Sequence, residues 1–78
     1  MKTLDLHNIQ HEAAEILVYN FVMANIDHMP LRIITGKSAS MQDIVIQVIN
    51  KNKFGYHYDK FQNWGCLIIT ERKWQTNF

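Results

Sequence analysis

Leu4-Asp5-Leu6-His7, close to the N-terminus, shows the alternation of apolar and polar residues that is typical of a β-strand. Neighbouring side chains of a strand point to opposite faces, so the two leucines are expected to enter a core while Asp5 and His7 share the other face. Local sequence alone thereby brings a carboxylate and an imidazole together. The pair is a candidate catalytic site, although an exposed strand face or an N-capping arrangement would use the same residues.

The residues that follow predict a helix and a second strand. Between residues 10 and 25, apolar side chains recur at helical spacing and form a stripe broad enough to cover a sheet. Pro30 requires an extended residue before it, so the helix must end earlier. Residues 31–35 are mostly apolar and β-branched, which predicts a buried strand, and Gly36 breaks this strand.

Strand, helix and strand over this length predict a parallel pair of strands joined by a right-handed crossover. Parallel strands end at the same edge of a sheet, so His7 and Thr35 are expected side by side. Open α/β sheets bind their ligands at that edge. Lys37 and Ser38 follow directly and are expected at the same place.

A second helix is predicted after this loop. Ser40 followed by Asp43 resembles a capping box, and apolar residues continue at helical spacing as far as Asn50. Residues 44–49 are rich in β-branched side chains, which leaves a strand as the alternative. The cap and the need for a crossover favour the helix.

The rest of the chain predicts a β-hairpin and a tail. Residues 56–61 and 66–71 are the two strands, joined around residues 62–65, and residues 72–78 form the tail. The expected fold is a single α/β domain over residues 1–78, with its core at about residues 3–71. Its layers are a four-stranded mixed βαβαββ sheet and two covering helices.

Composition describes an ordinary small globular domain. Hydrophobic residues make up 47% and charged residues 19%, and no apolar run approaches the roughly 20 residues that span a bilayer. Cys66 is the one cysteine, which fits a reducing cytoplasm, and a buried thiol is favoured over a nucleophile. The net charge of +1 excludes a broad basic surface, so nucleic-acid contacts must be local. We expect a cytoplasmic monomer without a membrane partner.

Two familiar site motifs do not fit. Gly36-Lys37-Ser38 suggests a phosphate-binding P-loop, but Leu31 stands where that motif requires glycine. His7 and His11 are four residues apart, but a helix that starts between them keeps them off one helical face, unlike the ligands of a zinc protease. We therefore expect no NTPase activity, no metal site and no cofactor.

Three blocks of sequence together resemble the Smr (small MutS-related) domain family. They are residues 4–7 followed by Glu12-Ala13, residues 33–37, and Gly65 before residues 66–69. The resemblance spans about residues 3–71. It implies a fold like the C-terminal domain of translation initiation factor three, and nucleic-acid binding. It also implies endonuclease activity as in several members, which nick branched DNA or cleave RNA near stalled or collided ribosomes.

The matching residues make chemical sense for RNA cleavage without a metal ion. His7 could take the 2′-OH proton, Asp5 could orient it, and Lys37 with the backbone N–H groups after Gly36 could hold the phosphate. The predicted nucleic-acid contacts are Arg32, Thr35, Gly36, Lys37, Ser38, Lys60 and Trp64. For Arg32 the alternative is a solvated strand residue. For Trp64, stacking on an unpaired base and packing against a helix end are both open.

The chain is therefore expected to be a metal-independent endoribonuclease, with structured or branched DNA as the less favoured substrate and the ribosome as a candidate setting. Thr35 stands where the family often has a second histidine, and Asn8 where it usually has glycine. The missing histidine motivates an alternative, a non-catalytic adaptor domain that binds RNA or DNA. A protein-interaction domain with no nucleic-acid role is a third interpretation.

Overall fold

A computed structural model describes residues 1–59 and 65–72. Within these ranges the strands are β1 (Thr3–Asp5), β2 (Leu31–Ile34), β3 (Phe54–Tyr58) and β4 (Cys66–Arg72). The helices are α1 (His11–Ala24) and α2 (Ala39–Lys51), and a 3₁₀ turn, Ile26–His28, precedes β2. The order along the chain is the predicted βαβαββ.

The strands form one mixed sheet in the order β1-β2-β4-β3. β1 and β2 are parallel, with Asp5 opposite Ile34, and β4 is antiparallel to both β2 and β3. The ends of β1, β2 and β3 and the start of β4 consequently meet at one edge. This loop edge comprises residues 5–8, 34–38, 59 and 65–66. The predicted juxtaposition of the β1 and β2 ends is confirmed.

The two helices cover one face of the sheet because alternate strand residues are apolar on that side. Leu31 and Ile33 of β2 pair with Ile69 and Leu67 of β4, and all four are fully buried. The helices contribute Ala14, Val18, Val22, Met41, Val45, Val48 and Ile49 to the same core. The intervening strand residues point the other way, to the face that neither described helix covers. This helix-free face includes Asp5, Arg32, Ile34, Cys66 and Ile68.

The helical prediction for the second helix is confirmed, but the predicted cap is wrong. The helix begins at Ala39, and Ser38 is the N-cap, with its Oγ accepting a hydrogen bond from the Met41 N–H at 3.1 Å. Gly36, at φ 68°, turns the chain immediately after β2. The helix can therefore start before Ser40 is reached, and Ser40 becomes a helical residue.

Several strand bounds differ from the predicted ones. β1 ends at Asp5 instead of His7, because the chain turns at Asn8, where φ is 68°. β3 begins two residues earlier than predicted, and β3 and β4 form the expected antiparallel pair. Residues 60–64, which include most of the predicted turn, and residues 73–78 of the predicted tail lie outside the described residues. Neither described helix has the length and apolarity to cross a membrane.

Candidate functional site

The end of β1 is anchored by the residue between its two reactive side chains. The Leu6 N–H donates a hydrogen bond to the Ile34 carbonyl at 2.8 Å, and the Leu6 side chain is buried. Asp5 and His7 flank this anchor and remain at the surface, with side chains 47% and 62% exposed. Burial of one leucine therefore fixes the backbone that carries both groups.

Asp5 and His7 form a hydrogen-bonded pair. The Asp5 Oδ1 accepts from the His7 Nδ1 at 2.7 Å and from the His7 backbone N–H at 3.0 Å. These hydrogen bonds, the side-chain one most strongly, lower the pKa of the Asp5 carboxyl below its ordinary value of 3.8. A carboxylate can only accept, so Nδ1 carries the proton and the neutral ring keeps its lone pair on Nε2. The pair thus presents an oriented base to solvent.

Asn8 turns the chain from this pair into α1. Its φ of 68° lies in the left-handed region, which asparagine tolerates better than most residues. The Ile9 N–H closes the turn on the Leu6 carbonyl at 3.0 Å. Asn8 occupies the position at which the Smr resemblance has glycine, and the backbone there has a conformation that suits either residue.

The end of β2 is held by backbone hydrogen bonds to the start of β4. The Gly65 carbonyl accepts from the N–H groups of Thr35 and Gly36, at 2.9 and 3.1 Å. Thr35 is buried, and its hydroxyl lies 2.8 Å from the Gly36 carbonyl oxygen and 3.3 Å from that of Gly65. Because these carbonyls engage the hydroxyl, Thr35 supports the loop and does not present a polar group to a ligand at the surface.

Beyond Thr35, the loop presents one cation. Lys37 is exposed, whereas Ser38 is half-buried and uses its hydroxyl to cap α2. The Gly36 N–H is already bonded to Gly65, but the N–H groups of Lys37 and Ser38 have no partner among the described residues. Of the four loop residues predicted to contact nucleic acid, Lys37 is the one whose charged side chain is available.

Arg32 lies on the helix-free face, two residue pairs further from the loop edge than Asp5. It is opposite Thr3, while Asp5 is opposite Ile34. Its guanidinium Nε is 3.7 Å from Oδ2 of Asp59, a residue that is only 8% exposed. Arg32 is therefore a half-buried member of an ion pair and not a fully solvated strand residue.

Cys66 completes the helix-free side of the loop edge. Its thiol is buried, as expected, and burial raises its pKa, with a further rise from Asp59 and an opposing effect of Arg32.

Sequence reasoning overlooked Asp59, since an aspartate after a strand is ordinary. Only the pairing of its N–H with the Cys66 carbonyl, at 3.0 Å, brings it near Arg32.

Lys60 and Trp64 lie outside the described residues. In the described part of the chain, no group of three His, Cys, Asp or Glu side chains could hold a metal ion.

No family model, curated protein or solved structure matches this chain.

Proposed function

We propose that this protein is a nucleic-acid-binding domain of the Smr type that cleaves RNA without a metal ion. The observation that carries the proposal is the exposed Asp5–His7 pair, with 2.7 Å between Nδ1 and Oδ1, at the edge where the β1 and β2 ends are adjacent. Lys37 leaves the sheet from the neighbouring strand. A base and a cation are two of the groups that metal-free phosphodiester cleavage uses.

The reaction follows from the tautomer of His7. The Nε2 lone pair takes the proton of the 2′-OH, the O2′ attacks phosphorus, and the bond from phosphorus to O5′ breaks. O5′ takes a proton from solvent, and the products are a 2′,3′-cyclic phosphate and a 5′-OH end. Asp5 keeps the ring oriented and stabilises the imidazolium as it forms. His7 then returns its proton to solvent.

Lys37 holds the phosphate in this scheme. Its ammonium, with the N–H groups of Lys37 and Ser38, would bind the non-bridging oxygens as charge develops on them. RNA is favoured over DNA because RNA brings its own nucleophile, whereas a DNA nickase must activate water. The single cysteine supports a cytoplasmic setting, and the resemblance to Smr domains supports association with ribosomes. We expect the domain to act as a monomer.

The test is a cleavage assay in excess chelator on three labelled substrates in parallel: single-stranded RNA, hairpin RNA and branched DNA. We expect wild type to cleave RNA and the double variant Asp5→Ala/His7→Ala to lose activity. His11→Ala removes another exposed histidine and is the matched control, expected to cleave like wild type. Activity that survives the double substitution would identify a contaminating nuclease and contradict the proposal.

The second candidate function is an adaptor that binds RNA or branched DNA without cutting it. Thr35 favours this candidate, because it replaces the second histidine of the resemblance and its buried hydroxyl cannot serve as an acid for a surface ligand. The adaptor predicts a gel shift that weakens with salt and with Lys37→Ala, and no cleaved product. No shift with any of the three substrates would instead support a protein-interaction domain.

A further inference from the structure

Arg32 and Asp59 meet across an intervening strand. Arg32 of β2 lies opposite Ile68 of β4, and Asp59, after β3, bonds through its N–H to the Cys66 carbonyl of β4. With Nε 3.7 Å from Oδ2, the Arg32 side chain must extend over β4 toward β3. It therefore points away from β1, and its guanidinium is displaced from the Asp5–His7 pair by about two strand spacings, on the order of 10 Å.

The burial of the two partners is unequal. Asp59 is 8% exposed, and the Arg32 Nε is buried without a hydrogen bond, but the Arg32 side chain as a whole is 35% exposed. The terminal guanidinium nitrogens are not among the buried atoms without a partner, and they make no hydrogen bond to a described residue. One edge of the guanidinium thus faces a buried carboxylate, while the terminal nitrogens, unpaired within residues 1–59 and 65–72, are available to a ligand.

We propose that Asp59 is a positioning residue that holds Arg32 over β4, so that the exposed end of the arginine binds a phosphate of an RNA strand. The planar fork suits a bidentate contact with an oxyanion. This inference rests on the proposed function. The separation from His7 makes the bound phosphate a neighbour of the one that is cleaved, so Arg32 and Asp59 act on affinity and not on the chemical step.

If Asp59 acted through its charge alone, its removal would strengthen RNA binding instead of weakening it. Removal of a carboxylate from a protein that binds a polyanion reduces repulsion and tightens binding. A positioning role predicts weaker binding, because the guanidinium is then free to leave the helix-free face. The direction of change on Asp59→Asn therefore separates the two explanations.

The first experiment uses the free protein and needs no nucleic acid. In nuclear magnetic resonance spectra, we expect the Arg32 Nε proton to exchange slowly with water, and Asp59→Asn to accelerate this exchange. Arg72 is the internal control, since its Nε donates to the Asn52 carbonyl at 3.2 Å and should be unaffected. Unchanged Arg32 exchange in Asp59→Asn would overturn the positioning role whatever the protein binds.

The second experiment measures anisotropy of a fluorescein-labelled single-stranded RNA, in a His7→Ala background that prevents cleavage. Arg32→Ala and Asp59→Asn should each weaken binding by about fivefold to tenfold, and the double variant should be no weaker than Arg32→Ala. Asp59→Glu, which keeps the charge, should restore part of the affinity. Asp27→Asn, which removes an exposed acid from the turn before β2, should bind as tightly as its parent or more tightly.

In cleavage assays with His7 restored, Asp59→Asn should raise KM and leave kcat within about twofold.

If Asp59→Asn impairs folding, Arg32→Lys serves as the second variant. It keeps the charge, lacks the planar guanidinium and should also weaken binding. Binding by Asp59→Asn as tight as that of its parent would overturn the inference and leave the proposed function standing. A wild type that neither binds nor cleaves RNA would overturn both the inference and the proposed function. The proton-exchange result would still report whether Asp59 holds Arg32.

Discussion

The ends of β1 and β2 are neighbours in the sheet, yet they are held in different ways. Both turn through a residue with φ 68°, Asn8 in one and Gly36 in the other. At the β1 end, exposed Asp5 and His7 bond to each other and to no other described side chain. At the β2 end, Thr35 is buried, and its backbone and hydroxyl bind the carbonyl groups of the loop.

This difference separates residues that stabilise the fold from residues that are available for a reaction or a ligand. An exposed pair such as Asp5–His7 contributes little to stability because solvent screens it, so its residues are free to serve a ligand. The buried hydrogen bonds around Thr35 stabilise the loop and leave Lys37 to provide its exposed charge. The comparison predicts that substitutions at the β1 end change activity, and that substitutions at the β2 turn change stability.

His7→Ala should produce the largest effect. Loss of the base is expected to lower the RNA cleavage rate by about 10²–10⁴-fold, while the free energy of unfolding changes by less than about 0.5 kcal/mol. Initial rates and urea denaturation measure the two quantities. A fall in rate that is matched by a large loss of stability would break the comparison, since His7 would then be a structural residue.

Gly36→Ala and Asn8→Gly test the two turns against each other. An alanine Cβ at residue 36 would meet no atom within 4 Å, so its cost is the left-handed backbone alone, about 1–2 kcal/mol of unfolding free energy. Asn8→Gly should change stability by less, about 0.5 kcal/mol in either direction, because asparagine already tolerates φ 68°. Urea denaturation of both variants gives the comparison, and equal losses would contradict it.

Thr35→Val separates loop support from ligand contact. The substitution keeps the side-chain shape and removes the hydroxyl bond, with an expected loss of about 1 kcal/mol of unfolding free energy. RNA affinity, measured in a gel shift on the folded variant, should be unchanged because the hydroxyl faces the loop carbonyls. Weaker binding without a loss of stability would return Thr35 to the nucleic-acid contacts.

The smallest effect concerns the titration of Asp5. Its pKa is lowered by the hydrogen bonds from His7, so the pair stabilises the fold above pH 3.8, and this contribution is lost as the pH falls through the lowered pKa. In His7→Ala the Asp5 midpoint should rise toward 3.8. Carboxyl chemical shifts followed by nuclear magnetic resonance measure it, and an unchanged midpoint would show that another group sets the pKa.

Local patterns predicted most of the fold. The alternation around Leu4 and Leu6, the helical spacing of residues 10–25 and the β-branched residues 31–35 are short-range signals, and they identify β1, α1 and β2 with small errors at their ends. The α2 cap was misplaced because Ser38 and Ser40 are both plausible caps. Which serine caps depends on where Gly36 turns the chain.

Part of the candidate site was likewise determined by local sequence, and part of it only by the tertiary structure. Asp5 and His7 are two residues apart, so strand geometry alone brought them together. The parallel pairing of β1 and β2 brought the start of the Lys37 loop to the same edge. The roles of Thr35, Arg32 and Asp59 could be seen only in the folded chain. Their partners lie on strands that are distant in sequence, and burial, which decides whether a polar group supports the loop or meets a ligand, is a property of the packed sheet.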